Sequence, residues 1–177
     1  AGPVAVGAYI YSPQSLFSDG INDSKKLTLI QRENIFTLLS SDNSSFEVLF
    51  GEVEEIDSLG IAKTIENLIQ KIVEKFNDEK TFFLIDGQFS RDFGGRTAKV
   101  IRGDSTYYSI AAASILAKVS RDRLMKTLHE QYKDYNFAKH VGYATLEHRK
   151  LLEQYGPCNI HRKSFEPIKS MISLLNS

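Results

Sequence analysis

The sequence predicts an α/β domain on three observations. Strand-like segments alternate with helix-like ones, and a nearly all-apolar run at 81–86 reads as a buried parallel strand. Neither an internal repeat nor a low-complexity linker interrupts the 177 residues. That length fits one domain, and 42% apolar residues suffice for a sizeable core. The tail at 165–177 reads as a helical extension of it.

In chain order, residues 3–11 have the β-branched and aromatic content of a strand around Gly7. Pro13 and the DGIND cluster at 19–23 make a loop ending at Ser24-Lys25-Lys26. Thr28 caps a helix through Leu39, with Leu29, Ile35, Phe36 and Leu39 on one face. A polar turn at 40–45 leads to a strand at 46–53. Asp57 or Ser58 starts a long amphipathic helix striped by Leu59, Ile61, Ile65, Leu68, Ile69, Ile72, Val73 and Phe76. The strand at 81–86 ends in Asp86-Gly87. After a loop at 90–96, a short strand at 98–104 precedes an Ala-rich helical run at 108–132. Residues 133–146 lack clean periodicity. A helix then starts near Thr145 or Leu146 and stops at Gly156-Pro157. Pro167 stands near the start of a last helix, striped by Ile168, Met171, Ile172 and Leu175.

Composition excludes several classes. No run approaches the ~20 apolar residues of a bilayer helix, and no basic-then-apolar leader opens the chain. A single cysteine, Cys158, excludes an internal disulfide framework and suits a reducing compartment, most simply the cytoplasm. The net charge of zero hides an asymmetry. Residues 1–90 carry 7 Lys/Arg against 14 Asp/Glu, and residues 91–177 carry 15 against 8. Such a split can focus a positive field on one face.

The chemistry-bearing segment is 104–122. Asp104 follows a strand through Gly103, a suitable place for a metal-holding carboxylate. The small residues at 111–114 let a helix lie close to a sheet, and Asp122 appears late in that helix between Arg121 and Arg123. Taken alone, Asp122 reads as a solvated aspartate paired with an arginine, and Asp104 as a turn residue or N-cap. Spacing does not decide whether the two carboxylates meet. Tyr143 alone reads as a core aromatic, and the Lys25-Lys26 pair as a solvated one. The four histidines show no metal-site spacing, which argues against zinc.

The segment RGDSTYYSIAAASILAKVSRDRLM (102–125) resembles the most distinctive stretch of the ribonuclease HII family. AGPVAV (1–6), NDSKKLT (22–28), IDG (85–87), YKDYNFAKHVGYAT (132–145) and IHRKSFEP (160–167) match the family in the same order, nearly end to end. The resemblance implies a ribonuclease H-like fold with a mixed central sheet flanked by helices. It implies endonucleolytic hydrolysis of the RNA strand in RNA–DNA hybrids and at ribonucleotides embedded in duplex DNA. The products carry 5′-phosphate and 3′-hydroxyl ends, as ribonucleotide excision repair requires. The implied cofactor is Mg²⁺ or Mn²⁺, and Asp104 and Asp122 match two of four acidic, catalytic metal ligands. Tyr143 matches the tyrosine that stacks beside the sugar at an RNA–DNA junction. Asp23, Ser24 and Lys25 match a motif near the substrate backbone; His161, Arg162 and Ser164 match one for phosphate contact or site support. The implied partners are hybrid duplexes and ribonucleotide-containing DNA, with no membrane and no obligate protein partner. Val141 stands where the family commonly has lysine, which weakens one phosphate contact.

One departure matters. In the family a DEAGRG motif precedes the match to AGPVAV, and residues 1–177 do not contain it. Its two carboxylates complete the metal site, and its Gly-Arg-Gly reads the 2′-hydroxyl. Neither Glu33 nor Glu52 lies in a segment that could substitute. The expectation is therefore a sheet lacking its first core strand, with neighbouring strands unpaired and the core exposed. Three explanations stay open: residues omitted from the sequence, which is favoured, a fragment that folds only with a complementing segment, or a local rearrangement that rescues the fold. A 177-residue complete polypeptide is expected to show negligible cleavage. Two other readings stay open: a non-catalytic RNA–DNA-binding fragment using Tyr143, Lys25 and the later basic segment, and a structural α/β protein.

Overall fold

The computed structural model describes residues 1–11, 21, 27–41, 46–94 and 96–175. The elements are β1 (Val4–Tyr9), α1 (Leu29–Ser41), β2 (Phe46–Gly51), α2 (Val53–Leu59), α3 (Ile61–Phe76), β3 (Phe83–Asp86), β4 (Thr97–Val100), α4 (Tyr108–His129), α5 (Phe137–His140), α6 (Leu146–Tyr155) and α7 (Ile168–Leu175). The chain forms two compact units: Ala1–Val4, Phe50–Thr64 and Arg121–Ser177, and Ala5–Leu49 with Ile65–Ser120. Among the described residues, no helix is long and apolar enough to cross a membrane.

The second of these units contains two strand pairs where one mixed sheet was expected. β1 pairs with β2, and β3 pairs in parallel with β4, Phe83 opposite Thr97 and Asp86 opposite Val100. A cavity of about 910 Å³ is lined by every residue of 5–11 and of 80–86. One face of a strand presents only alternate residues. Lining by consecutive residues therefore means that the cavity runs along strand edges.

Two apolar clusters fill this unit. Tyr9, Leu39, Ala112 and Leu116 form one, packed by Ile35, Phe36 and Phe46; Ile69, Val73, Ile85 and Phe93 form the other. Thr28 caps α1 as expected, because its hydroxyl accepts from the Gln31 amide while the Gln31 side chain accepts from the Thr28 amide. Leu29 departs from the expected apolar face. It is half exposed as the first residue of α1, whereas Leu39 near the other end is buried. The close helix–sheet approach inferred from the Ala-rich stretch is present at Gly7, where an added Cβ would lie 2.3 Å from the Ala113 carbonyl oxygen.

The other unit has its own core of Met125, Tyr135 and Phe137. The long helix expected to start at Asp57 or Ser58 is two helices. Gly60, at φ 82°, ends α2 before α3 begins, and Asp57 sits inside α2. The aperiodic stretch after 132 is a single 3-10 turn (Lys133–Tyr135) followed by α5, with Asn136 and Val141 both left-handed. Backbone of that kind carries no helical or strand period, so its pattern was silent. Thr145 caps α6 by accepting from the His148 amide.

Candidate active site

Asp104 occupies a 3-10 turn, Gly103–Ser105, that joins β4 to α4. The expected strand stops at Val100, because Arg102 turns left-handed at φ 56°. Three contacts define this turn. The Asp86 carboxylate, at the end of β3, accepts the Gly103 amide at 2.8 Å. The Gly103 carbonyl accepts the amides of Thr106 and Tyr107. Gly103 is tightly enclosed, since a Cβ would lie 2.4 Å from Ile110 Cδ1 and 2.7 Å from Val100 Cγ2 and would force those side chains to shift. Asp86 is exposed and Asp104 half-buried, so two carboxylate-bearing segments adjoin at the end of the parallel pair.

Asp122 lies on α4 in the other unit, with only 8% of its surface exposed, which is not the solvated position its arginine neighbours suggested. Preceding it, Arg121 donates to three backbone carbonyls: Nε to Pro3 at 2.9 Å, Nη1 to Val141 at 3.0 Å and Nη2 to Ala1 at 2.8 Å. Its guanidinium also lies 5.5 Å from the centre of the Tyr143 ring. Tyr143 is half exposed, not a core aromatic, and presents its ring with that cation behind it.

The late basic motif is anchored within the same unit. Arg162 donates from Nε to the Gly2 carbonyl at 2.9 Å and from Nη2 to that of Pro3 at 3.3 Å. Ser164 donates its amide and hydroxyl to Asp57 Oδ1 at 2.8 and 2.6 Å, and the Lys163 amide reaches Oδ2 at 2.8 Å. Burial pushes the Asp57 carboxyl up, but these donors together outweigh it and hold the group below its ordinary 3.8.

His161 is 1% exposed and touches only the protein's interior. Its Nδ1 accepts the Cys158 amide at 3.0 Å, and its Nε2 lies 3.1 Å from His148 Nε2. No phosphate reaches a ring so enclosed. His148 Nδ1 in turn lies 2.8 Å from the Tyr143 carbonyl, and the His140 ring stacks on His148 at 4.4 Å. Burial, reinforced by the neighbouring imidazoles, lowers both His148 and His161 to about 4. These rings are therefore neutral at physiological pH.

Asp23, Ser24 and Lys25 lie outside the described residues. Sequence reasoning passed over Asp86, Arg121, Asp57, His140 and His148. Asp86 had a signal, the IDG at 85–87; the others act through backbone carbonyls and amides, which no side-chain pattern encodes. Among the described residues, no group of three or more His, Cys, Asp or Glu side chains gathers as a metal site. Asp104 and Asp122 are nevertheless hard oxygen donors, the type that suits Mg²⁺ or Mn²⁺ with retained waters.

The chain is similar to known proteins over nearly its whole length. The sequence model of the family described as Ribonuclease HII matches residues 1–168. A ribonuclease HII of Chlamydia muridarum is 43% identical over 97% of this chain and 79% of its own length. One from Burkholderia ambifaria is 38% identical over 99% of this chain and 80% of its own. Among solved structures, the PCNA:RNase HII complex from Archaeoglobus fulgidus matches with a TM-score of 0.71 at 25% identity, covering 87% of this chain and 81% of that one. The ribonuclease H2 from Pyrococcus horikoshii OT3 shares the fold, with a TM-score of 0.68 at 22% identity over 99% of both chains. The chain belongs to the ribonuclease HII family, and its activity class is that of a ribonuclease H-type endoribonuclease.

Proposed function

We propose that the protein hydrolyses the RNA strand of RNA–DNA hybrids and cuts at ribonucleotides embedded in duplex DNA, leaving 5′-phosphate and 3′-hydroxyl ends. The observation that carries this reading is the turn at Asp104. Asp104 is half-buried and directly follows Gly103, whose amide the Asp86 carboxylate accepts, within a chain that matches the family across residues 1–168. Asp104 and Asp122 each match a metal ligand of the family, and each would offer a carboxylate oxygen to Mg²⁺ or Mn²⁺. When bound, such a cation polarises the scissile phosphate and makes water a better nucleophile.

The chain's own residues divide the remaining work. Tyr143 offers an exposed ring for the sugar at an RNA–DNA junction, backed by the Arg121 cation. Asp23, Ser24 and Lys25 follow the substrate backbone. Arg162 and His161 support the site from within, and Ser164 stands at its exposed edge. Contacts of this kind read sugar and phosphate but not bases, which suits cleavage independent of sequence. The single cysteine, unlinked in this fold, is consistent with work in the cytoplasm during ribonucleotide excision repair. The matched Archaeoglobus fulgidus structure is a complex with PCNA. The reading for this chain rests on nucleic acid alone.

A second reading is favoured by the absence of a three-ligand group among the described residues: binding of RNA–DNA hybrids without cleavage. One assay separates the two. A duplex with one ribonucleotide is incubated with the full-length protein in Mg²⁺ or in chelator, beside Asp104→Asn. Metal-dependent cutting that falls at least about a hundredfold in the variant supports the nuclease. Retention without any metal-dependent cutting supports the binder.

A further inference from the structure

The strongest unexplained feature is a line of buried imidazoles that ends on the backbone of Tyr143. Its direction is fixed by its two ends. The Cys158 amide, 3.0 Å from His161 Nδ1, can only donate, so that nitrogen accepts and carries no proton, and the Cys158 thiol, also 3.0 Å from it, can join only as a second donor. A neutral His161 therefore carries its proton on Nε2, which faces His148 Nε2 at 3.1 Å. His148 Nε2 must then accept, leaving the proton on Nδ1. There it meets the Tyr143 carbonyl at 2.8 Å, which can only accept. Every link is satisfied in one order alone: amide to His161, His161 to His148, His148 to Tyr143. A second proton on either ring would set N–H against N–H.

The segment that this line grips is strained. Val141 is left-handed at φ 44°, a costly conformation for a β-branched residue, and Gly142 follows at φ 81°. Gly142 admits no side chain, since a Cβ would lie 2.7 Å from the Ala1 carbonyl oxygen. The Gly142 amide donates to His140 Nδ1, and His140 Nε2 donates to the Tyr135 carbonyl, so the stacked third histidine is also a neutral one-in, one-out ring. The Tyr143 amide donates to the His140 carbonyl, and the Tyr143 carbonyl takes a second donor from the Thr145 amide. Histidine is the residue that accepts on one edge and donates on the other without charge, which a buried relay between two backbone groups requires.

We propose that His148 and His161 are positioning residues for substrate recognition: a neutral, directional pair that fixes the backbone of Tyr143 and so aims its exposed ring. The inference rests on the reading that Tyr143 meets the sugar of the substrate.

The test uses the full-length protein. Nitrogen-15 NMR should find His148 protonated at Nδ1 and His161 at Nε2 near neutral pH; the opposite tautomers overturn the relay. Asparagine places an amide N–H near the position of Nδ1, whereas glutamine places its amide near Nε2. On a duplex with one ribonucleotide, His148→Gln should raise KM about tenfold with little change in kcat, and His148→Asn only about two- to threefold. Equal effects of the two variants overturn the positioning role. Tyr143→Ala should raise KM as His148→Gln does, and the double variant should be no worse than Tyr143→Ala alone. A normal KM for Tyr143→Ala defeats the substrate role of that ring, and the positioning role with it. The tautomers would still report separately whether the relay exists.

Discussion

The Asp86 carboxylate accepts the Gly103 amide at 2.8 Å, tying the end of β3 to the residue before Asp104. A carboxylate that could itself have faced substrate instead fixes the turn of its neighbour. Removing the acceptor with Asp86→Ala should cost about 1 kcal/mol, discounted for the exposure of Asp86. It should also raise the Mg²⁺ concentration needed for half-maximal cleavage. Asp86→Asn retains an acceptor and should recover most of both losses. Urea denaturation and a Mg²⁺ titration of cleavage check this, and equal behaviour of the two variants would contradict it.

Two glycines should resist alanine to different degrees. At Gly7 the new methyl meets a backbone carbonyl of α4, which cannot turn aside. At Gly103 it meets the tips of Ile110 and Val100, which can shift. Both changes overpack, within the usual range of about 1–3 kcal/mol, with Gly7→Ala at or above its top. Thermal unfolding of the two variants should rank them in that order.

Arg121→Lys should be far from conservative. One ammonium cannot reproduce three divergent hydrogen bonds to Ala1, Pro3 and Val141 while keeping its charge over the Tyr143 ring. A loss of about 3 kcal/mol is expected from stranding partly buried carbonyls. Chemical denaturation measures it, and a loss below about 1 kcal/mol would show those bonds to be dispensable.

Acid should act in two separate windows. His148 and His161 lie at about 4 in the fold against an ordinary 6.5, so the native state binds fewer protons than the unfolded chain. Their stabilisation is complete above pH 6.5 and is lost as pH falls toward 4, on the order of 3 kcal/mol for either ring acting alone. Asp57 is depressed below 3.8, so its contribution persists above that pH and is lost only below it. Stability measured from pH 7 to 4 should therefore slope downward. His148→Asn should flatten that slope by about one proton; an unchanged slope would rule out His148 as its source.

Much of the architecture was legible in the sequence, for reasons that differ by element. Thr28 and Thr145 announced their helices because a cap is a local hydrogen bond, made within three residues. The run at 81–86 announced a parallel strand through its nearly all-apolar content, and it pairs in parallel with β4, although only Ile85 of the strand is buried where burial on both faces was expected. The break at Gly60 was hidden, because α2 and α3 continue a single apolar stripe and only the left-handed φ separates them. Asp104 was legible as a residue, but the hold of Asp86 on its turn was not. That contact joins positions 17 apart through an amide that every residue possesses.

By itself, then, the sequence determined the alternation of strands and helices, the Thr28 and Thr145 helix caps, and the family through ordered motifs such as RGDSTYY. Tertiary structure decided which side chains serve a site and which serve the backbone behind it. It turned Arg121 and Arg162 toward carbonyls, sank His161 beneath the surface and raised Tyr143 out of it. The physical reason is range. Periodicity and capping are settled within a turn or two of chain, whereas the burial of a charge or a ring depends on partners brought from more than a hundred residues away.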